Sequence, residues 1–315
     1  MNIHRRRGTS TCAWAARPLA GFLAGLAALL VLASCTSAPR ASPPDPAGLP
    51  ASDEVPVLLD TTRLTLPVDA HLLALSEERQ RSMARRELLH DCLLRFGIAV
   101  VIPEPPTEVG PRTRNERRYG LTDAAAAATT GYGLGDRDPR TRGGGREDAP
   151  TLTARARAVL TGHGSALPAR VPEGGCSGEV TRLLTPVDPV TRKSLNEDLP
   201  EALSFASFST SQSDPRVQAA FGDWASCMRK QGHSYAAPLE PPADPRFGNP
   251  GGAAERATAE ADVACKAQTN LVGRWYAVES AEQARLIEEH QSELESLRAA
   301  ELEVSRFVRS ISTSR

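Results

Sequence analysis

The fold is organised around one short stretch that the chain uses twice. Its clearer copy reads Trp224-Ala225-Ser226-Cys227-Met228-Arg229-Lys230-Gln231-Gly232, and its fainter copy reads Leu89-His90-Asp91-Cys92-Leu93-Leu94-Arg95-Phe96-Gly97. In both copies a glycine follows the cysteine by five positions, and a proline follows that glycine by six. Because glycine tolerates the left-handed conformation that ends many helices, each copy predicts a helix end. One more cysteine follows each copy, Cys176 after the first and Cys265 after the second.

The N-terminus predicts export. Residues 1–34 combine the basic run Arg5-Arg6-Arg7 with an apolar run that ends in Leu32-Ala33-Ser34-Cys35. Such a segment is a signal peptide rather than part of the fold. The last four residues resemble the lipobox of bacterial lipoproteins, which implies that Cys35 is lipidated with acyl chains such as palmitate. A transmembrane anchor and an ordinary secretory signal are the alternatives, although the apolar run is short for a span.

Composition shifts predict the division of the remaining chain. Residues 35–67 begin with the expected lipidated cysteine and continue as a Pro-rich tether, which cannot bury enough apolar surface to fold. Residues 68–190 form a first helical half and residues 191–315 a second. We therefore expect a cell-membrane protein, lipid-anchored on the extracellular face.

Four cysteines remain beyond Cys35, and they permit three pairings. In an exported protein such cysteines form disulfides that persist. The repeat favours Cys92 with Cys176 and Cys227 with Cys265, one bridge in each half. A metal site is the rival interpretation, but Cys-x-x-Cys is absent, so we expect no metal.

Helical periodicity dominates and predicts a mainly α fold, a disulfide-stapled domain of two related halves with a long C-terminal helix. One helix is expected from about residue 70 to residue 96 with Asp69 as its N-cap, and another after Asp214-Pro215. Helix formers from about Ala253 onward predict a helix of up to about 80 Å, with a break near Gly273 as an alternative. A heptad seam within it packs on the domain or, alternatively, forms a coiled coil between chains. The seam consists of Ile287, Leu294, Leu297, Val304, Val308 and Ile311.

The sequence offers no recognisable catalytic constellation, so we assign no catalytic residue and no cofactor. His163 and Ser165 are close, but glycines around them favour a loop rather than a nucleophile elbow. The acids Glu288, Glu289 and Glu293 are typical of a solvated helix face. Net charge is -1, and the arginines of residues 1–34 leave the rest of the chain at about -5, which argues against nucleic acid as a partner.

Five motifs are spread over the chain after residue 65: Leu66-Pro67-Val68-Asp69-Ala70, Arg118-Tyr119-Gly120-Leu121-Thr122-Asp123-Ala124 with Gly131-Tyr132, Gly174-Gly175-Cys176 with Gly178-Glu179, Trp224 with Cys227-Met228, and Ala261-Asp262 with Cys265. Together they resemble a group of uncharacterised actinobacterial lipoproteins. The first repeat departs from this pattern by carrying Leu89 where the second carries Trp224. The resemblance implies location and fold, and it implies no activity.

These observations predict a non-enzymatic binding or accessory protein of the cell envelope. Its partners would be membrane lipid through Cys35 and an envelope protein or cell-wall component, with ligand-binding residues unassigned. A cell-wall-acting enzyme and a self-associating structural lipoprotein are the alternatives.

Overall fold

A computed structural model describes residues 55–104, 109–139, 151–248 and 250–313. All of them belong to one compact unit, Pro46–Arg315. The predicted signal peptide, the lipidation site Cys35 and most of the predicted tether lie outside the described residues. Within the described part of the chain, no helix is both long enough and apolar enough to cross a membrane.

The described residues form nine α-helices and no β-strand, which confirms the prediction of a mainly α fold. The helices are α1 Leu75–Arg95, α2 Ala124–Thr130, α3 Ala154–Thr161, α4 Gly175–Leu184, α5 Leu199–Gln212, α6 Pro215–Lys230, α7 Ala253–Thr269, α8 Leu271–Glu289 and α9 Gln291–Thr313. A short 3-10 helix, Pro67–His71, precedes α1. One antiparallel bridge, Val187 with Ser194, closes the turn between α4 and α5.

The first α-helix begins later than the sequence predicts. Asp69 lies inside the 3-10 helix, where its carboxylate accepts the backbone N–H of Leu66 at 2.8 Å and the side-chain amide of Asn115 at 2.6 Å. α1 begins at Leu75 instead, and the Glu77 carboxylate accepts the Ala74 N–H at 3.0 Å. Asp69, which the local sequence pattern predicts as a helix cap, therefore makes a tertiary contact with Asn115 instead.

The first copy of the repeated stretch ends α1 in a Schellman motif. Gly97 has a positive φ of 71°, in the left-handed region. Its N–H donates to the carbonyl oxygen of Leu94 at 2.9 Å, and the N–H of Ile98 donates to that of Leu93 at 3.1 Å. These two bonds satisfy carbonyl groups that the helix end would otherwise leave unpaired.

The second copy ends α6 with the same pair of bonds. Gly232 has φ 84°, and its N–H donates to the carbonyl oxygen of Arg229 at 3.1 Å. The N–H of His233 donates to that of Met228 at 2.9 Å. Met228 follows Cys227 directly, as Leu93 follows Cys92 in α1. The shared spacing of the two copies therefore produces the same helix cap.

Two disulfides fasten these helix ends to later helices. Cys92 of α1 joins Cys176 of α4, with 5.7 Å between their Cα atoms, and Cys227 of α6 joins Cys265 of α7 at 5.6 Å. All four cysteines are buried. The pairing predicted from the repeat is confirmed.

The C-terminal helical region is three helices, so a single helix of about 80 Å is wrong and the alternative of a break near Gly273 is confirmed. The first break falls at Asn270, whose backbone is left-handed at φ 47°. The Asn270 side chain donates to the carbonyl oxygen of Pro56 at 3.0 Å, and a Cβ on Gly273 would lie 1.8 Å from that oxygen. The second break falls at His290. α9 is still the longest helix described, with 23 residues.

The heptad seam packs inside the chain. Leu294 and Leu297 are buried, and Leu294 packs against Leu199 and Leu203 of α5. Val304 and Val308 pack against Ala84 of α1 and against α4. Glu301, a charged residue seven positions after Leu294 at a heptad position of the seam, is paired with Arg81 of α1 at 3.0 Å. The prediction that the seam covers the domain is thus confirmed for these residues.

The two halves share their packing. α2 packs on α7, α1 packs on α9, and the 3-10 helix packs on both α5 and α8. The largest core cluster surrounds Trp275, with ring centroids of Phe221, Tyr119 and Phe208 at 4.9, 5.0 and 5.2 Å from that ring. The related halves are therefore not separate bodies.

Candidate functional site

The buried acid next to the second bridge is neutralised within the core. Asp262 of α7 accepts the indole N–H of Trp224 at 2.9 Å and the ammonium group of Lys266 at 2.8 Å. Burial raises the pKa of Asp262, and the charge of Lys266 opposes that rise. Lys266 also donates to the carbonyl oxygen of Leu121 at 3.0 Å. Every group has a partner, as buried charges require, so this cluster is structural.

The mid-chain motif that begins at Arg118 packs on this cluster through Gly120. Gly120 has a positive φ of 82°, and a Cβ there would lie 2.7 Å from the Lys266 nitrogen. Only glycine meets both demands without displacing the ammonium group from Asp262. The motif therefore serves to place the chain against α7.

A second buried acid, Glu279 of α8, is equally saturated. Arg118 pairs with it, the Tyr119 hydroxyl donates to it at 2.8 Å, and the Gln283 amide donates at 3.1 Å. Arg118 also donates to the Ser204 carbonyl oxygen at 2.6 Å, which ties α5 and α8 together. Burial, followed by the charge of Glu279, raises the pKa of Tyr119 well above its ordinary value. Each of these two acids therefore accepts hydrogen bonds on both carboxylate oxygens from groups of the chain itself.

The sequence candidates for chemistry lie apart from each other. His163 is exposed in a loop, where its ring nitrogen lies 2.8 Å from the Thr161 carbonyl oxygen. Glu289 pairs with Arg285 of its own helix, and Glu293 lies 3.5 Å from His290. Among the described residues, no three His, Cys, Asp or Glu side chains lie where they could hold a metal ion together.

A polar cleft of about 440 Å³ lies beside α2 and contains three arginines. Its charges are balanced, because Glu116, Asp123 and Asp136 line it as well. Arg112 lies 3.6 Å from Glu116 and 3.8 Å from Asp123. The remaining two arginines, Arg117 and Arg137, donate to backbone carbonyl oxygens of Gly133, Gly110 and Pro111. Burial lowers the pKa of Arg117.

A larger groove of about 550 Å³ runs between α4, the turn after it, and α9. We call it the α4–α9 groove. Its apolar surface consists of Leu183, Val187, Pro189, Ala299, Ala300, Val304 and Phe307. Ala300 and Val304 form a buried floor, whereas Leu183 remains 44% exposed. Val190 of the same turn is 87% exposed, so the turn holds apolar surface in contact with water.

The turn that forms one side of this groove is rigidly built. The Asp188 carboxylate accepts the N–H groups of Val190 and Thr191 at 3.0 and 2.6 Å, which lowers the pKa of Asp188. Arg192 has a left-handed backbone at φ 59°, and its N–H donates to the Asp188 carbonyl oxygen at 2.9 Å. The acid is thus occupied by the turn itself, and Arg192 lines the groove.

Sequence reasoning missed the α4–α9 groove because its sides lie more than 100 residues apart along the chain. One local signal existed in Leu183, which extends beyond the buried stripe of α4, where Val180 and Leu184 face the core. Phe307 of α9 is a second such residue, beside the buried Val304 and Val308. Neither signal identifies its counterpart across the groove.

The chain matches no protein-family model, and no curated protein or solved structure is significantly similar to it. The resemblance to actinobacterial lipoproteins therefore stays a prediction.

Proposed function

We propose that this chain is an exported, lipid-anchored protein of the cell envelope, attached through Cys35 on the extracellular face, with a non-enzymatic binding role. The observation that carries the proposal is the pairing of all four cysteines in the described residues. Disulfides persist in oxidising compartments outside the cytosol. An apolar segment that ends in Leu32-Ala33-Ser34-Cys35 supplies the route to such a compartment.

The binding role is favoured by the α4–α9 groove, and the two fully buried acids act as contacts within the core. Asp262 and Glu279 each accept hydrogen bonds from donors of the chain itself. Assembly into a coiled coil has less support, because Leu294, Leu297 and Val304 of the seam are buried within the chain. The α4–α9 groove is apolar and concave, which is typical of binding sites.

The anchor is tested by metabolic labelling with palmitate followed by separation of membrane and soluble fractions. Cys35→Ser should abolish incorporation of the label, because serine lacks the sulfur that is acylated. Cys12→Ser is the matched control, since it removes a cysteine of the predicted signal peptide, and it should leave labelling and membrane association unchanged. Label that persists in Cys35→Ser would contradict the proposal, as would recovery of the wild-type chain in the soluble fraction.

A further inference from the structure

We propose that the α4–α9 groove binds the acyl chain of a single anionic amphiphile. Its volume of about 550 Å³ falls within the range of small-molecule sites. Its floor is apolar, and Leu183 of α4 and Phe307 of α9 both line it. An apolar ligand would therefore remove exposed hydrocarbon from water, which is favourable in proportion to the area covered.

The size of the groove selects one acyl chain rather than a protein. Along α9 the lining runs from Ala299 to Phe307, which corresponds to about 12 Å at the rise of an α-helix. A stable protein interface uses about 20–30 residues on each partner, whereas eleven described residues line this groove. A segment of one extended hydrocarbon chain lies along a slot of this length, and the rest of a palmitate chain extends beyond it.

The charges at the groove select an anionic head group. Arg182, Arg192 and Glu303 are the charged residues among its described lining. Glu303 pairs with Arg306 at 2.8 Å, whereas Arg182 donates to the carbonyl oxygen of Glu173, which leaves its positive charge uncompensated there. Asp188, the acid nearest to Arg192 in sequence, is held by amides of its own turn. A guanidinium group binds carboxylate and phosphate through paired hydrogen bonds.

An anionic amphiphile is a ligand class for the binding role proposed above, and its assignment rests on that role. The test uses the full chain in whichever cell fraction contains it, so that anchoring is judged by fractionation and the groove by labelling. That fraction is incubated with a diazirine-bearing palmitate, irradiated and digested, and adducts are located by mass spectrometry. We expect adducts on the α4 peptide with Leu183 and on the α9 peptide with Phe307.

Competition and substitution test the anionic head group and the acyl chain separately. Laurate should compete about tenfold better than lauryl alcohol, which lacks the negative charge. Arg192→Asn, which tolerates the left-handed backbone, should lower laurate competition about tenfold, and Arg192→Lys should keep most of it. Leu183→Glu should abolish labelling of the groove. Phe205→Glu is its matched control, since Phe205 is 72% exposed on α5 outside the groove, and should change nothing.

Three results would overturn the inference. Adducts spread over exposed apolar residues such as Phe205 and Val101 would show partitioning without a site. Equal competition by laurate and lauryl alcohol would show that the groove does not select an anionic head group. Cross-linked dimers joined through the groove would make a second copy of the chain its occupant. Retention of both disulfides, measured by alkylation and mass shift, confirms that each variant has folded.

Discussion

The two copies of the helix end share a cap and a bridge but differ in their surroundings. Around Cys227 lies the aromatic core, with Trp224 fully buried and bonded to Asp262. Around Cys92 lies a smaller aliphatic cluster, and Leu89, which stands where the other copy has Trp224, is only half-buried. The difference shows that one fastening motif can operate at the centre of a core or at its edge.

Removal of a bridge is expected to give the largest loss of stability. Comparison of the two bridges should show whether loop entropy or core packing determines that loss. In the chain-entropy model, Cys227–Cys265 with a separation of 38 residues stabilises by about 4 kcal/mol and Cys92–Cys176 with 84 residues by about 4.5 kcal/mol. The pair Cys92→Ala and Cys176→Ala should therefore cost slightly more than the pair Cys227→Ala and Cys265→Ala in urea unfolding. A clearly larger loss at the aromatic core would show that packing outweighs loop entropy.

Trp224 and Leu89 occupy the same position in the two copies, three residues before the cysteine. Truncation of each to alanine is expected to give clearly different losses of stability. Trp224→Ala should cost about 4 kcal/mol through cavity formation and should also deprive Asp262 of the indole donor, leaving Lys266 as its partner. Leu89→Ala should cost about 1–2 kcal/mol, because Leu89 is half-buried. Trp224→Phe keeps an apolar ring and isolates the lost hydrogen bond. Equal losses for the two alanine variants in chemical denaturation would refute the contrast.

The glycine after each helix is expected to behave alike in both copies. Gly97 and Gly232 have φ of 71° and 84°, and a Cβ on either would meet nothing within 4 Å. Only backbone strain remains, so Gly97→Ala and Gly232→Ala should each cost about 1–2 kcal/mol. Thermal unfolding of the two variants should therefore coincide. A difference above about 1 kcal/mol would show that the caps are not equivalent.

The helix starts provide the smallest expected difference. Asp214 caps α6 by accepting the N–H of Arg216 at 2.8 Å, whereas Ala74 before α1 has no side-chain oxygen. The side-chain bond from Arg216, above all, lowers the pKa of Asp214 below its ordinary value of 3.8. Asp214→Ala should cost about 1 kcal/mol near neutral pH.

The pH dependence of that loss follows from the direction of the shift. Because the folded pKa of Asp214 is below the unfolded one, its stabilisation is complete above the unfolded value and is lost as pH falls through the folded value. The stability gap between wild type and Asp214→Ala should therefore narrow at pH below about 4. Melting temperatures measured from pH 7 to pH 2 test this, and a constant gap would contradict it.

Local spacing was sufficient to predict the bridges and the helix ends. Cysteine, glycine and proline recur at the same intervals in both copies, and each interval specifies a local geometry, as Gly97 and Gly232 show. Contacts across the chain were not predictable in this way. The break at Asn270 depends on a bond to Pro56, and the shift of the first helix start depends on Asn115.

The candidate site could not be predicted for the same reason. The α4–α9 groove exists only after Leu183 of α4 and Phe307 of α9 are brought into one lining, and no spacing within either helix predicts that they come together. The Arg118–Ala124 motif was visible in the sequence, but its role was not. Arg118 pairs with the buried Glu279, which lies 161 positions further along the chain.

The contact between Pro56 and the α7–α8 corner has a mechanical consequence. Pro56 lies near the start of the described chain, and its carbonyl oxygen is held by the Asn270 side chain at 3.0 Å. A pulling force transmitted from the preceding residues therefore reaches the corner between α7 and α8 before it reaches α1. α7 is covalently joined to α6 through Cys265, so the load passes into the aromatic core. A molecule stretched from this end should resist as a clamped body instead of unravelling helix by helix.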